Sequence, residues 1–439
     1  MIARLTTAQR LVAYVVILLM LAACTTATTP APPPDPTALA AAPAGVTLVL
    51  WHGWANAPRQ ALSRLVDQFN QQHPAGRISL QPVPLATFDG DLRNALTAGG
   101  GPHVMLLPNS WIGSLAKTDA LLALDDLIAS GDQKPLLPSA IGGARATGAD
   151  GKPHLYGLPI SFDTLALFYN TSNVLTPPAD TAALLQNARG LAAPNAAQPI
   201  WGLALNLSLD TTIGYLYAAG GRVFDDQGKV ALGGAGRAGA EQWLSWLKQL
   251  QDDQQLLARA DNSIEVDREL KGGRVLMTFD WAHQLSLYRS LWGEHLGVAP
   301  LPRLSTTNQP PQPYVKSDVL VINSRVSASE RATALDFLRF MTSADAQFEL
   351  LNSDIQPARG DLKLDAHGLD STQLAAAQAF RSAAQQGQPM PNAPSRERDI
   401  LRRELTQMQR QVLRGDATPA DAVSEADKRL RDQLETGQP

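Results

Sequence analysis

The segment 46–54 constrains the fold more than any other part of the chain. An apolar run, Val46, Thr47, Leu48, Val49 and Leu50, breaks into Trp51, His52, Gly53 and Trp54. A short continuous run of this kind reads as a strand buried on both faces, as parallel sheets require. An amphipathic helical pattern follows over 58–70, with Leu62, Leu65, Val66 and Phe69 on one face. Further apolar runs at 78–83 and 104–107 flank a second helical pattern at 89–98, which Gly99, Gly100, Gly101 and Pro102 stop. Strand, helix, strand, helix, strand predicts right-handed crossovers and a mostly parallel sheet. In open α/β sheets, ligands bind beyond the carboxyl ends of the strands, so the residues after each run are the first candidates for a site.

The N-terminus says where such a body works. Arg4 and Arg10 form a basic region ahead of an apolar stretch at 11–21 that is too short to span a bilayer, and Leu21-Ala22-Ala23 closes it with small residues. This is the pattern of a secretory signal peptide over 1–23. Cys24, the chain's single cysteine, follows at once, and Leu-Ala-Ala-Cys resembles the bacterial lipobox, whose cysteine becomes an acylated N-terminus. Residues 24–44 are rich in Thr, Ala and Pro and read as a tether that cannot fold alone. With no second cysteine there is no disulfide framework, so stability must come from a core, and 439 residues suffice for two lobes. A formal net charge of -4 removes the electrostatic footprint of a nucleic-acid partner.

The second half repeats the opening arrangement. Strand-like runs at 158–161 and 165–170 enclose Asp163, a helix over 211–219 has Asp210 as its expected N-cap, and a long amphipathic helix over 239–257 carries Trp243 and Trp246 as core packing. A strand at 275–279 ends in Asp280-Trp281 before a helix at 282–291. Strands at 296–300 and 319–322 precede Ser327 to Glu330, a capping box. Helices at 372–385, 395–414 and 419–434 close the chain, the last opened by Thr418 and Pro419.

Catalysis is not announced. The histidines at 52, 73, 103, 154, 283, 295 and 367 include no metal-binding pair at helical spacing, and there is no Gly-x-Ser-x-Gly elbow. The glycines at 234, 236 and 239 match a dinucleotide fingerprint in form but follow a short hairpin, so they read as a loop entering a helix. Neither a cofactor nor a metal is expected. The remaining signal is an excess of indole and carboxylate or amide groups at strand ends. A sugar offers an apolar C–H face and a rim of hydroxyls, so its site needs flat aromatic platforms with hydrogen-bonding side chains around them. Trp54, Trp111 and Trp281, with Asn109, Asp163, Asp210 and Asp280, supply both. Trp201 and Trp292 read as core, and Trp51 is left open between core and cleft.

These parts resemble a family, the extracellular solute-binding proteins of bacterial ABC importers, in the sugar-binding branch that includes maltose-type receptors. The resemblance runs through 46–54, Gly101 to Val104, Asn109 to Gly113, Tyr156 to Ile160 with Phe168 to Asn170, Met277 to Trp281, Gly297 to Pro302, Ser343 to Leu350, and Pro389 to Asn392. It implies an α/β, two-lobed periplasmic-binding-protein fold of the maltose-binding type. The first lobe would comprise 45–158 and 319–356, the second 159–318 and 357–439, with crossings near 158–160, 315–318 and 356 that act as a hinge. By position, Trp54, Asn109 and Trp111 would line the cleft from one lobe and Asp163, Asp210 and Trp281 from the other, with Asn206 and Lys316 as weaker candidates. The partners implied are a sugar, the permease's transmembrane subunits and a membrane reached through the lipid anchor, for a monomer on the outer face of the cell membrane. His103 and the Phe279-Asp280-Trp281 segment depart from the family pattern. The alternatives are a receptor for a non-sugar polyol or glycerol phosphate, a secreted carbohydrate-active enzyme using Asp163 and Asp280, and a surface or sensor protein without a ligand.

Overall fold

A computed structural model describes residues 45–435, apart from 226, 261, 262 and 367. The segments expected to be a signal peptide and a tether, with Cys24, lie outside the described residues. The body from Gly45 onward is a single unit by its internal contacts, built on one large mixed sheet, one small antiparallel sheet and a surround of helices.

The opening pattern folds as its periodicity dictates. Strand β1 (Val46–His52), helix α1 (Asn56–Gln72), strand β2 (Gly76–Pro82), helix α2 (Leu85–Thr97) and strand β3 (Val104–Pro108) form two parallel crossovers with β1 between β2 and β3. Helix α1 buries Ala61, Leu62, Leu65, Val66 and Phe69, the face its sequence period marks. Strand β4 (Gly157–Asp163) belongs to the large sheet, whereas β5 (Leu165–Asn170) leaves it. Helices α3 (Leu209–Ala218) and α4 (Arg237–Asp252) follow, then strand β6 (Met277–Trp281), helix α5 (Leu285–Trp292) and strand β7 (Leu296–Ala299). Strands β6 and β7 flank β5 in the small antiparallel sheet. Strand β8 (Tyr314–Ile322) then returns to the large sheet and precedes helices α6 (Ala328–Met341), α7 (Ser371–Gln386), α8 (Ser395–Arg414) and α9 (Pro419–Leu434).

The large sheet differs from the mostly parallel expectation. Its order is Gln356–Pro357, β4, β8, β3, β1, β2, and β8 runs antiparallel to both β3 and β4. The three crossings named from sequence are thus hydrogen-bonded neighbours. Between Asp318 and Val319 the β8–β4 register slips past Ile160, a bulge that re-aims the strand beside Asp318. Helix α4 also stops earlier than expected, because Leu257–Arg259 pairs with Ala204–Asn206 as a short parallel strand.

Two large hydrophobic clusters hold the described residues, with a third, small one around Phe348 and Leu362. One packs β1, β3, β4 and β8 against α1 and α6; the other packs α3 and α4 against α8 and α9, with Trp243 and Trp246 inside it. Gly415 closes α8 in the left-handed region at φ 80, where a side chain would be strained, so that α9 can fold back.

The alternation along β1 buries Leu48, Leu50 and His52 and leaves Trp51 half-buried on the other face. His52 is 0% exposed, and neither ring nitrogen has a hydrogen-bond partner. Burial, then Arg59, pulls its pKa below the ordinary histidine value, and the nearby Trp54 backbone offsets this in part. The folded state therefore keeps this ring neutral while the unfolded chain takes up a proton, so stability is lost as pH falls below about 6.5. His52→Leu is expected to shrink the drop in thermal midpoint between about pH 7 and about pH 5. An unchanged drop would mean that another group controls acid unfolding.

Candidate functional site

The site grows from the edge where β4 and β6 end and β8 begins. In β8, Lys316 and Asp318 alternate onto one half-exposed face while Ser317 points into the protein. Trp54, just beyond β1, donates its indole Nε1 to Asp318 Oδ2 at 3.1 Å, and Ser161 Oγ donates to the same oxygen at 3.0 Å. Enclosure of the carboxyl pushes the Asp318 pKa up to about 6, against the two hydrogen bonds, with a smaller push from Asp163. Asp163 ends β4; its Oδ2 lies 2.8 Å from His283 Nδ1, and its Oδ1 accepts the His283 backbone N–H at 3.3 Å. The Asp163 hydrogen bond raises the His283 pKa, and burial opposes it. Trp54, Asp163, Asp318 and His283 line one cavity of about 370 Å³.

A second cavity of about 270 Å³ lies on the other side of Lys316, with Asn109, Asp210, Arg398 and Arg402 among its walls. Asp210 accepts both 2.8 and 2.9 Å hydrogen bonds from Arg402 Nη1. It is not the N-cap of its helix: Ser208 Oγ accepts the Thr211 N–H at 3.3 Å, which leaves Asp210 in the first turn of α3 with its carboxylate outward. Lys316 Nζ stands 3.3 Å from the centroid of the Trp281 ring, a cation–π contact that covers one face of the indole.

Three of the residues expected to touch ligand have partners within the protein. Asn109 is 1% exposed; its Nδ2 donates to the Met390 carbonyl at 2.8 Å and its Oδ1 accepts the Ser317 N–H at 3.1 Å. It clamps the 389–392 segment to β8, and Gly113 completes that docking, since a Cβ there would fall 1.8 Å from the Asn392 carbonyl oxygen. Asp280 accepts the Trp281 N–H on Oδ1 at 2.8 Å and the Tyr288 hydroxyl on Oδ2 at 2.7 Å. Burial raises its pKa, and those two bonds oppose the rise. Trp111 packs edge-on to Phe88, with centroids 5.5 Å apart, and lines neither cavity. Ser110 does not cap the following helix; its carbonyl accepts from Arg398 Nη1.

Sequence reasoning missed Asp318, His283, Arg398 and Arg402. The alternation that places Lys316 and Asp318 on one face was a usable signal, as was His283 two residues past Trp281. Nothing local marks which face of α8 meets Asp210. Among the described residues no group of three or more His, Cys, Asp or Glu side chains could hold a metal ion.

Comparison with known proteins settles the class. A family model described as bacterial extracellular solute-binding protein matches residues 64–375, and the chain belongs to that family. A maltotriose-binding protein of Pyrococcus abyssi (strain GE5 / Orsay) is 26% identical over 180 residues, a match that spans 41% of this chain and 38% of the relative. The cyclic alpha-maltosyl-1,6-maltose binding protein of Arthrobacter globiformis is similar in structure, with a TM-score of 0.75 at 18% identity over 90% of this chain and 100% of that one. The GacH receptor of Streptomyces glaucescens, solved unliganded and with acarbose, gives a TM-score of 0.69 at 21% identity over 89% and 99%. At such identities these likenesses show the fold, α/β and two-lobed.

Proposed function

We propose that the protein is the substrate-binding component of a bacterial ABC importer. It captures a mono- or oligosaccharide between a lobe of 45–158 with 319–356 and a lobe of 159–318 with 357–439, and delivers it to the permease's transmembrane subunits. An acylated Cys24 would hold it to the outer face of the membrane through the tether. The observation that carries the reading is the placement of Trp54, Asp163, Asp318 and the Lys316–Trp281 pair beside three adjacent crossing strands, in a chain of this family. Indole faces and carboxylate oxygens are what a pyranose needs. The maltotriose-binding relative supports a sugar over other solutes. Ligand that touches both lobes favours the closed arrangement by its differential affinity for it. No covalent step is proposed, and the commitment of both Asp280 oxygens argues against an acid pair with Asp163.

Calorimetric titration of the protein with maltose, maltotriose and maltotetraose tests this. Saturable binding without release of new reducing ends is the expected result. Hydrolysis would replace the receptor by a carbohydrate-active enzyme, and no heat across a wider sugar panel would remove the sugar reading.

A further inference from the structure

The second cavity carries more positive than negative charge. Lys316 from β8 and Arg398 and Arg402 from α8 line it against the single carboxylate of Asp210, and much of the remaining wall is apolar, including Leu209 and Met390. Arg402 reaches Asp210 through Nη1 alone. Arg398 spends Nη1 on the Ser110 carbonyl, and its Nε is 3.9 Å from Asp399, whose side chain is 71% exposed and so a weak partner. Lys316 makes no hydrogen bond or ion pair with any described residue; its ammonium rests on the Trp281 ring. Burial lowers the Lys316 pKa, which Asp163 and Asp210 counter at longer range while Arg402 adds to the lowering.

This arrangement is unfavourable when empty. Arg398 and Arg402 are four residues apart on one helix, a spacing at which like charges repel. A half-buried ammonium whose close contact is an indole face recovers only part of its lost hydration. An oxyanion seated between the three cations relieves both, and guanidinium groups match the planar or tetrahedral oxygens of carboxylate and phosphate. The neighbouring groups fit the rest of such a ligand. Asp318 is two residues along β8 from Lys316, roughly 7 Å on the same face, about the span of one sugar ring.

Resting on the sugar-receptor reading, we propose that this cavity is an oxyanion subsite and that the ligand is an acidic sugar. Its carboxylate or phosphate is held by Lys316, Arg398 and Arg402, and its hydroxyls extend toward Asp318 and Trp54.

The test titrates the protein with trigalacturonate, glucose 6-phosphate, maltotriose and glucose, and repeats it with Lys316→Met and Arg398→Gln. At least one acidic ligand is expected to bind roughly tenfold or more tighter than its neutral counterpart, and less tightly at about 150 mM salt than at low salt. Which of the two acidic ligands is preferred tells carboxylate from phosphate. Each substitution should weaken the acidic ligand roughly tenfold, and by more than it changes the affinity of any neutral sugar, with the fold intact by circular dichroism. Maltotriose binding with no acidic preference overturns the subsite and leaves the receptor reading standing. Acidic binding that both variants retain in full also overturns it. Failure of all four ligands removes the sugar reading and the subsite together.

Discussion

Trp281→Ala is expected to lower the affinity for the sugar ligand roughly a hundredfold while the fold survives. The indole ends β6, remains half-exposed, and packs at the margin of the second hydrophobic cluster rather than within it. Losing a flat aromatic platform against a pyranose removes about 3 kcal/mol of apolar burial and ring contact, which is the stated factor in binding. The strand itself is held by its antiparallel register with β5, Met277 opposite Tyr169 and Trp281 opposite Leu165, and by Phe279 inside the core, none of which needs the indole. Lys316 complicates the exchange in a useful way. Its ammonium covers one ring face, so a stacked sugar must use the other face or displace it. Titration calorimetry of the variant, with circular dichroism as the fold control, decides the matter. Unchanged affinity would move the platform elsewhere, to Trp54 in the first instance.

The fold was legible where one residue's neighbours in sequence decide its state. The run at 104–107 is a strand buried throughout, while those at 46–50 and 78–83 turn Leu48, Leu50 and Ile78 inward and Thr47, Ser79 and Gln81 to water. Ser327 caps α6 in a reciprocal box with Glu330, and Thr418 caps α9, both by contacts three residues long. The site was less legible because its partners lie far apart in the chain. Trp54 and Asp318 are 264 positions apart, Asn109 and Met390 281, and Asp210 and Arg402 192. Residue type marked Asn109 and Asp280 as sugar contacts, but whether an amide or carboxylate meets ligand depends on what has already satisfied it. In both cases protein donors and acceptors take part of that capacity. The Asp210 error has the same root: serine and aspartate both cap helices, and the choice of Ser208 freed the acid for Arg402.

Asp318→Asn should stabilise the protein above about pH 6 and do little near pH 4. In the native state the Asp318 pKa is pushed up to about 6 from the ordinary 3.8, chiefly by desolvation. A carboxyl with a raised native pKa binds more protons folded than unfolded, so its ionisation erodes stability as pH climbs from about 4 to about 6, and the full cost, about 3 kcal/mol, applies above that. Asparagine removes the charge but not the geometry. Trp54 Nε1 and Ser161 Oγ both donate to the one oxygen, Oδ2, and an amide carbonyl in its place can accept both. The readout is the difference in unfolding free energy between variant and parent across this range; a difference that stays flat would mean that the carboxyl is not desolvated. Asp318→Ala separates charge from hydrogen bonding: it sheds the same pH-dependent cost but strands both donors, so it should lie about 2–4 kcal/mol below Asp318→Asn in stability at every pH. A protein that keeps a charge at such a cost beside Trp54, at the bulge where β8 slips past Ile160, holds it for something other than stability. If that role is to accept a ligand hydroxyl, the more stable Asp318→Asn variant will bind its sugar more weakly, and the loss will vanish below pH 6, where the parent carboxyl is itself protonated.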